Sequence, residues 1–392
     1  MPPPEPSLPN MTTTTDTNKL RVVIAGGGVA ALETALALHD LAAELTDVTV
    51  IAPNPDFHYR PMTVREPFAQ GQARRYPLAP IVRDAGASLI CDELAWVDPE
   101  HRIAHTKGDE QVEYDALVLA LGAKATPRYR HAVTIDAAHM DEILHGVIQD
   151  VEGGYIKSLA FVAPGRMAWP LPLYELALMT AGRAYDMNMD VAITLVTPED
   201  SPLAIFGQNV SGAVAELLVR SNVQTIHSAY AEVHEEGEVV INPGDRRLHV
   251  DRVIALPELY GPSLRGIPLS EHGFLRVDRF GHVLEAEGVY AAGDCTEFPV
   301  KHGGVGSQQA DVVAQSIAAE AGADVIPEPF HPVIHGMLLT GDKPMYLTAK
   351  ITGGHGFSSE LSDTPSWSPP SKIATKYLAP YLDTQDREKT PT

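Results

Sequence analysis

Val22, Val23, Ile24 and Ala25 form a short, wholly apolar run of the kind that makes a strand buried on both faces. Gly26-x-Gly28-x-x-Ala31 follows, then apolar positions at Ala31, Leu32, Ala35, Leu36 and Leu38 with helical spacing. The pattern predicts a strand, a tight turn and a helix. Residues 47–53, DVTVIAP, predict a second buried strand, and residues 54–80, rich in Pro, Arg and aromatic side chains, a long excursion over a surface. ASLICDELAWVDPEHRIAHT and QVEYDALVLALGA predict a small antiparallel sheet and then a buried strand ending at Gly122.

A second series begins near residue 158. SLAFVAP, the helical LPLYELALMTAGRAY and VAITLVTPE repeat the strand, helix, strand architecture of the first unit. Short alternating strands return over residues 223–256. GVYAAGDCTEF (residues 288–298) predicts an apolar strand ending in Gly293-Asp294, followed by a glycine-rich turn and the helix SQQADVVAQSIAAEAG. After residue 330, PMYLTAKITGG predicts a strand and KIATKYLAPYL a short amphipathic helix. The fold class is α/β with two Rossmann-like units.

Composition narrows the partners. The chain has 392 residues, 44% of them hydrophobic and 20% charged, and no apolar run reaches the length of a membrane span. A formal net charge of −22 argues against nucleic acid or an anionic membrane surface as a main partner. With only Cys91 and Cys295, neither a disulfide framework nor a cysteine metal site is expected, which points to the cytoplasm and to no metal. Residues 1–18, rich in Pro and Thr without a basic start or apolar stretch, read as a disordered tail and not as a signal peptide. Ile373, Tyr377, Leu378, Tyr381 and Leu382 can share a helix face. Two lysines and an acidic body favour packing of that face within the chain or in a homodimer over a membrane surface.

The glycine turn carries the first chemistry. Gly26 permits the turn, Gly28 lets a backbone approach a pyrophosphate, and the small Ala31 lets helix and strand pack closely, with phosphates on the free amides of the helix start. Taken alone, such a turn is also what steric need produces. Gly26-x-Gly28-x-x-Ala31, YDALVLALGA (residues 114–123, with Gly122) and GVYAAGDC (residues 288–295), in this order and spacing, resemble the FAD-binding signature of the two-dinucleotide-binding-domain flavoproteins, the pyridine nucleotide-disulfide oxidoreductase superfamily. The resemblance covers roughly residues 21–322.

It implies a discontinuous FAD domain of residues 19–127 and 257–329, a second NAD(P)-type domain of residues 128–256 inserted in the first, and a C-terminal extension of residues 330–392. It also implies that Gly293 and Asp294 meet the ribityl chain, a carboxylate accepting from sugar hydroxyls, and that the helix following, with Gly306 near its start, points its N-terminus at the flavin. Without the resemblance, Gly293-Asp294 reads as a strand-end turn with Asp as a helix cap. Two positions depart from the signature. The acidic residue expected for the adenosine ribose falls near Ala52, shifting that contact to Asn54 or Asp56, and Leu121 replaces a threonine.

FHYRPMTVREP (residues 57–67), WPLPLYELALM (residues 169–179) and KPMYLTAKITGG are most similar to the sulfide:quinone reductase and type II NADH dehydrogenase branch. That similarity makes Arg60 and Pro61 flavin-facing, with a surface-turn cap as the plain alternative for Arg60. Paired cysteines are absent, so thiol relay and polysulfur chemistry are disfavoured; Cys91 reads as a small buried residue and Cys295 as packing beside Asp294. Gln308-Gln309 resemble the end of a quinone motif or are simply exposed. In the second unit, the turn from Gly165 to Pro170 holds a tryptophan and prolines where a pyrophosphate would approach, so NAD(P) binding stays open between Arg166 meeting a phosphate and an emptied fold. Trp169, Tyr174, His302 and Tyr346 are candidates for the substrate face, with core packing or a surface turn as the alternative for each.

The function so implied is transfer of two electrons from a small donor through FAD to a quinone-like acceptor. The alternatives are an NAD(P)H:quinone dehydrogenase with an atypical nicotinamide site, and a non-catalytic flavin-binding redox module.

Overall fold

A computed structural model describes residues 19–166, 169–351 and 357–389. The expected tail (residues 1–18) and the middle of the Gly165–Pro170 turn lie outside the described residues. Seven α-helices occur among them: α1 (Val29–Ala42), α2 (Leu78–Asp84), α3 (Met140–Glu152), α4 (Leu171–Asp186), α5 (Gln208–Arg220), α6 (Gly303–Glu320) and α7 (Leu378–Lys389).

Two five-stranded parallel sheets dominate. In the first, the strands run in the order Val289–Ala291, Ala116–Leu119, Leu20–Ala25, Thr46–Ile51, Ser88–Ile90. Strand Ser88–Ile90, expected in the small antiparallel sheet, pairs instead in parallel with Thr46–Ile51. Strand Leu20–Ala25 is central, and its alternate residues serve two cores. Val22 and Ile24 pack among the residues of α1 and α6, whereas Val23 and Ala25 pack toward the antiparallel layer Leu94–Asp98, Ile103–Thr106 and Gln111–Glu113. Burial on both faces is why this strand is apolar from Val22 to Ala25.

The second sheet has the order Val133–Thr134, Arg252–Ala255, Ser158–Val162, Ala192–Val196, Val223–Ile226. Its strands come from the stretch of chain between Leu119 and Val289, so the first sheet is completed only after the second is built. A third, antiparallel sheet (Val333–Leu338, Met345–Ile351, Phe357–Ser362) belongs to the C-terminal region. Among the described residues no helix is long and apolar enough to cross a membrane.

Helices α1 and α6 lie close because small residues meet at their contact. A Cβ on Gly306 would lie 3.0 Å from the Cα of Gly293, and one on Gly293 only 3.1 Å from the Cβ of Ala30. Ala31 is completely buried in this packing. The C-terminal helix starts six residues later than its apolar pattern suggests. Glu33 of α1 takes the backbone N–H groups of Lys376 (2.7 Å), Tyr377 (2.9 Å) and Leu378 (2.7 Å), and so holds the approach to α7 extended. Leu378 and Leu382 then bury against α1 within the same chain.

Candidate functional site

A cleft of about 910 Å³ opens where the strands of the first sheet end, the position at which open α/β sheets take ligands. One side is the turn into α1. Gly26 has φ +134°, and a Cβ there would sit 2.2 Å from the carbonyl oxygen of Ala120, so only glycine permits the strand to approach its neighbour. Gly28 is different: a Cβ there meets nothing within 4 Å, and its bare backbone faces the open cleft. Gly28 also starts α1 without any side-chain cap, leaving the first amides of the helix free. Asn54 and Asp56, beyond the strand Thr46–Ile51, line the same cleft, as does Gly122 with φ +72°. Ala31 lies behind this surface in the helix contact.

The opposite side is built by the Gly293-Asp294 turn and the start of α6. Gly293 has φ +85°, and its N–H donates to Gln309 Oε1 at 2.8 Å. Gln309 is buried and also reaches Thr296 Oγ1, whose hydroxyl donates to the Gly293 carbonyl. It therefore braces the turn; neither solvent exposure nor contact with a ligand fits it. Gln308 bonds both backbone groups of Val333 and ties the third sheet to α6.

Asp294 is half-buried in the cleft wall and has no hydrogen-bond or ion-pair partner among the described residues. Desolvation raises its carboxyl above the ordinary range, against the opposing pull of the Lys301 and Arg60 charges. Lys301 lies over the Phe274 ring at 4.0 Å and donates to the Thr296 carbonyl; burial pushes it down to about 8.

Arg60 and Pro61 open the 3-10 helix Arg60–Phe68 and both line the cleft. The hydroxyl of Thr63 closes the first turn onto the Arg60 carbonyl, leaving the exposed guanidinium free of that role.

His302 reaches the cleft as well, but not as a surface histidine. It is only 9% exposed, lies in the cleft wall immediately before α6, and packs on Trp169 with ring centroids 4.3 Å apart. Trp169 stands behind it, edge-on to Phe206, and does not line the cleft. Two other substrate-face candidates are corrected. Tyr174 is fully buried, its hydroxyl donating to Glu199 at 2.7 Å, and Tyr346 packs against Trp367 away from the cleft. Cys91 is exposed, contrary to its expected burial, because the strand before it ends at Ile90. Cys295 is buried with Sγ on the carbonyls of Leu119 (3.1 Å) and Ala292 (3.3 Å), and burial pushes its thiol up to about 11.

The sequence did not single out a buried ion pair beside the cleft. Lys372 Nζ donates to Glu175 Oε2 at 2.7 Å, and the Leu339 N–H donates to Oε1 at 2.9 Å. The next residue, Ile373, forms cleft wall and donates its N–H to the Tyr59 hydroxyl at 2.9 Å. The available signal was one acidic residue inside the apolar LPLYELALM.

The corresponding turn of the second sheet offers little to a pyrophosphate. A Cβ on Gly165 would meet the Tyr230 ring at 3.2 Å, and the Arg166 guanidinium lies over Tyr260 at 5.1 Å. Pro170 and Pro172 remove two N–H groups from the start of α4, and the Leu173 N–H is taken by the Pro170 carbonyl at 2.9 Å. Glu199, beyond the strand Ala192–Val196, turns inward and accepts from Tyr174 and Thr197.

Residues 175–318 match the family model of the pyridine nucleotide-disulphide oxidoreductases. That segment carries a domain of this type. A sulfide-quinone reductase of Aquifex aeolicus is 25% identical over 260 residues, which cover 62% of this chain and 59% of that protein, so the match spans less than two thirds of the relative. An NADH dehydrogenase-like protein of Mycobacterium tuberculosis is 26% identical over 298 residues, 70% of this chain and 72% of that one. The structure of the sulfide:quinone oxidoreductase from Aquifex aeolicus superposes with a TM-score of 0.80 over 94% of this chain and 90% of that chain, at 19% identity. At that identity the likeness is one of fold. These oxidoreductases bind FAD, and related enzymes bind NAD(P).

Proposed function

We propose that this protein is an FAD-dependent oxidoreductase that takes two electrons from a small donor other than NAD(P)H and passes them to a quinone-like acceptor. One observation carries the reading: Gly28's bare backbone, the uncapped start of α1 and the unpartnered carboxylate of Asp294 line a single cleft. Donors for a pyrophosphate and an acceptor for sugar hydroxyls are what a dinucleotide asks of a protein. Gly26, Gly28 and the first amides of α1 would hold the pyrophosphate, with Ala31 behind them in the packing. Asn54 or Asp56 would take the adenosine ribose, and Asp294, positioned by Gly293, the ribityl chain. Arg60, Pro61, Gly122 and the start of α6 at Gly306 would face the ring. FAD supplies the two-electron chemistry when bound there.

The crowded turn of the second sheet supports a donor other than NAD(P)H. Tyr230 covers the glycine, two prolines remove helix-start amides, and Glu199 is spent internally. A quinone-like acceptor is supported by the similarity to a sulfide-quinone reductase. Sulfide as the donor has no support from the cysteines, since Cys295 is sealed and Cys91 lies outside the cleft.

Denaturing the purified protein should release FAD; FMN, or no chromophore, defeats the reading. Anaerobic stopped-flow mixing with NADH, NADPH, sulfide and reduced quinones then identifies the electron-exchange partners. Rapid, saturable bleaching by NADH at micromolar concentration would overturn the exclusion of NAD(P)H.

A further inference from the structure

We propose that His302 is a neutral imidazole whose Nε2–H donates a hydrogen bond to a ring carbonyl oxygen held in the cleft. The assignment rests on the reading of the cleft as a flavin site reached by a quinone-like acceptor. His302 is the N-cap of the eighteen-residue α6, yet its side chain makes no capping bond. Its Nδ1 is buried without a hydrogen-bond partner among the described residues. That edge of the ring is pressed on the first turn of the helix, for a Cβ on Gly304 would lie 3.3 Å from Nδ1 and 3.0 Å from Cε1. Trp169 packs on the ring and fixes its plane. One ring nitrogen is thus sealed, and whatever the cleft offers His302 meets it at Nε2.

The position of the proton follows from electrostatics. A helix start carries partial positive charge, which favours a lone pair at the adjoining Nδ1 and opposes an imidazolium. Burial, the largest effect, pushes His302 down to about 3, and the charges of His335 and of Lys372, itself paired to Glu175, act in the same sense. A neutral imidazole with its lone pair at Nδ1 carries its proton on Nε2. Such a group donates to an oxygen without itself holding charge, and it stabilises negative charge developing on a carbonyl in a water-poor site. Two molecules bring a ring carbonyl to this cleft: the isoalloxazine of FAD and a quinone acceptor.

Long-range ¹H–¹⁵N spectra of FAD-loaded, ¹⁵N-histidine-labelled protein test the proton position, with His302 assigned by its loss in His302→Phe. The expected result is an unprotonated Nδ1 and a protonated Nε2 that do not change between about pH 5 and pH 9, a range that spans the ordinary histidine pKa. A proton on Nδ1, or titration near the ordinary histidine pKa, overturns the proposal. His302→Phe keeps a flat ring and removes the donor, and His302→Gln restores an N–H. If the flavin supplies the carbonyl, the Phe variant shifts the midpoint potential and visible spectrum of bound FAD with no acceptor present. If the acceptor supplies it, those stay fixed while turnover with decylubiquinone falls by roughly 10²-fold, and Gln recovers part of the loss. A Phe variant unchanged in both also overturns the proposal. Absence of FAD defeats the flavin reading and the carbonyl assignment with it, whereas a wrong tautomer in FAD-loaded protein defeats the His302 assignment alone.

Discussion

Replacing Lys372 by Met leaves Glu175 as a buried carboxylate with the Leu339 N–H as its remaining partner. Both charged side chains are sequestered, with 5% of Lys372 and none of Glu175 exposed. Removing one member of such a pair costs about 3–5 kcal/mol, because the other charge stays buried and uncompensated. The loss should be local, since Lys372 pins the segment that contributes Ile373 to the cleft and continues into α7. Native-state hydrogen exchange of residues 372–389 should therefore speed up by on the order of 10²- to 10⁴-fold. Desolvation already raises the Glu175 carboxyl, and loss of the cation raises it further. A group whose folded pKa is raised contributes stability that is lost as pH rises through that pKa, so the variant's deficit should grow as pH rises above the ordinary carboxylate range. In the Glu175→Gln/Lys372→Met double variant the neutral amide still accepts from Leu339, and most of the stability should return. A single variant within about 1 kcal/mol of the parent at pH 8, or a double variant as labile as the single, would refute this account of the pair.

Asp294→Ala should weaken FAD binding by roughly 1.5–3 kcal/mol, the worth of a charge-assisted hydrogen bond, and unchanged affinity by fluorescence titration would remove Asp294 from the site. Asp311 of α6 has Oδ1 buried without a partner among the described residues, and burial together with the nearby Glu33 carboxylate pushes it up to about 8, against the pull of Lys376. Its contribution is complete below the unfolded pKa and lost as pH rises through about 8, so Asp311→Asn should flatten the fall in unfolding free energy, measured by urea titration, between about pH 5 and pH 9 by at least ~1 kcal/mol; a parallel pH profile would count against it. Anaerobic dithionite titration should end at two electrons per FAD, unaltered in Cys91→Ser/Cys295→Ser. With one thiol exposed and the other bonded to the Leu119 carbonyl, there is no redox disulfide to store a further pair; a four-electron endpoint that drops to two in the double variant would overturn this.

The turn at Gly26 was legible because it stands between an apolar strand and a helical pattern, so its neighbours show the need for glycine. The Ala120 carbonyl that excludes a Cβ there, and the packing of Gly306 on Gly293, lie 94 and 13 positions away and came only with the structure. Tyr174 and Glu175 were harder: on an apolar helix Tyr174 read as a substrate-face candidate or as core, and nothing marked Glu175 out. The structure divides them between a hydroxyl bonded to Glu199 and a carboxylate paired with Lys372, a residue 197 positions away. His302 read as a substrate-face candidate or a surface-turn residue, since nothing in KHGG shows that Trp169 will cover its ring. The start of α7 was misplaced for the same kind of reason: its approach is bonded by Glu33, more than 340 positions earlier.

These long-range bonds fall on one short segment. Glu175 takes Lys372, Tyr59 takes the Ile373 N–H, and Glu33 takes the amides of Lys376 to Leu378, so α4, the surface excursion and α1 each hold part of residues 372–378. A polar side chain buried away from water is stable only when bonded, and here most of the bonds run to the backbone or lysine of that segment, with the Leu339 N–H as the further partner of Glu175. Ile373 is thereby held in the cleft wall beside Gly303, whose Cβ, if present, would lie 2.8 Å from it. The glycine at the start of α6 and the buried acids on α1 and α4 thus answer one requirement: the C-terminal segment must close the side of the cleft that the two parallel sheets leave open.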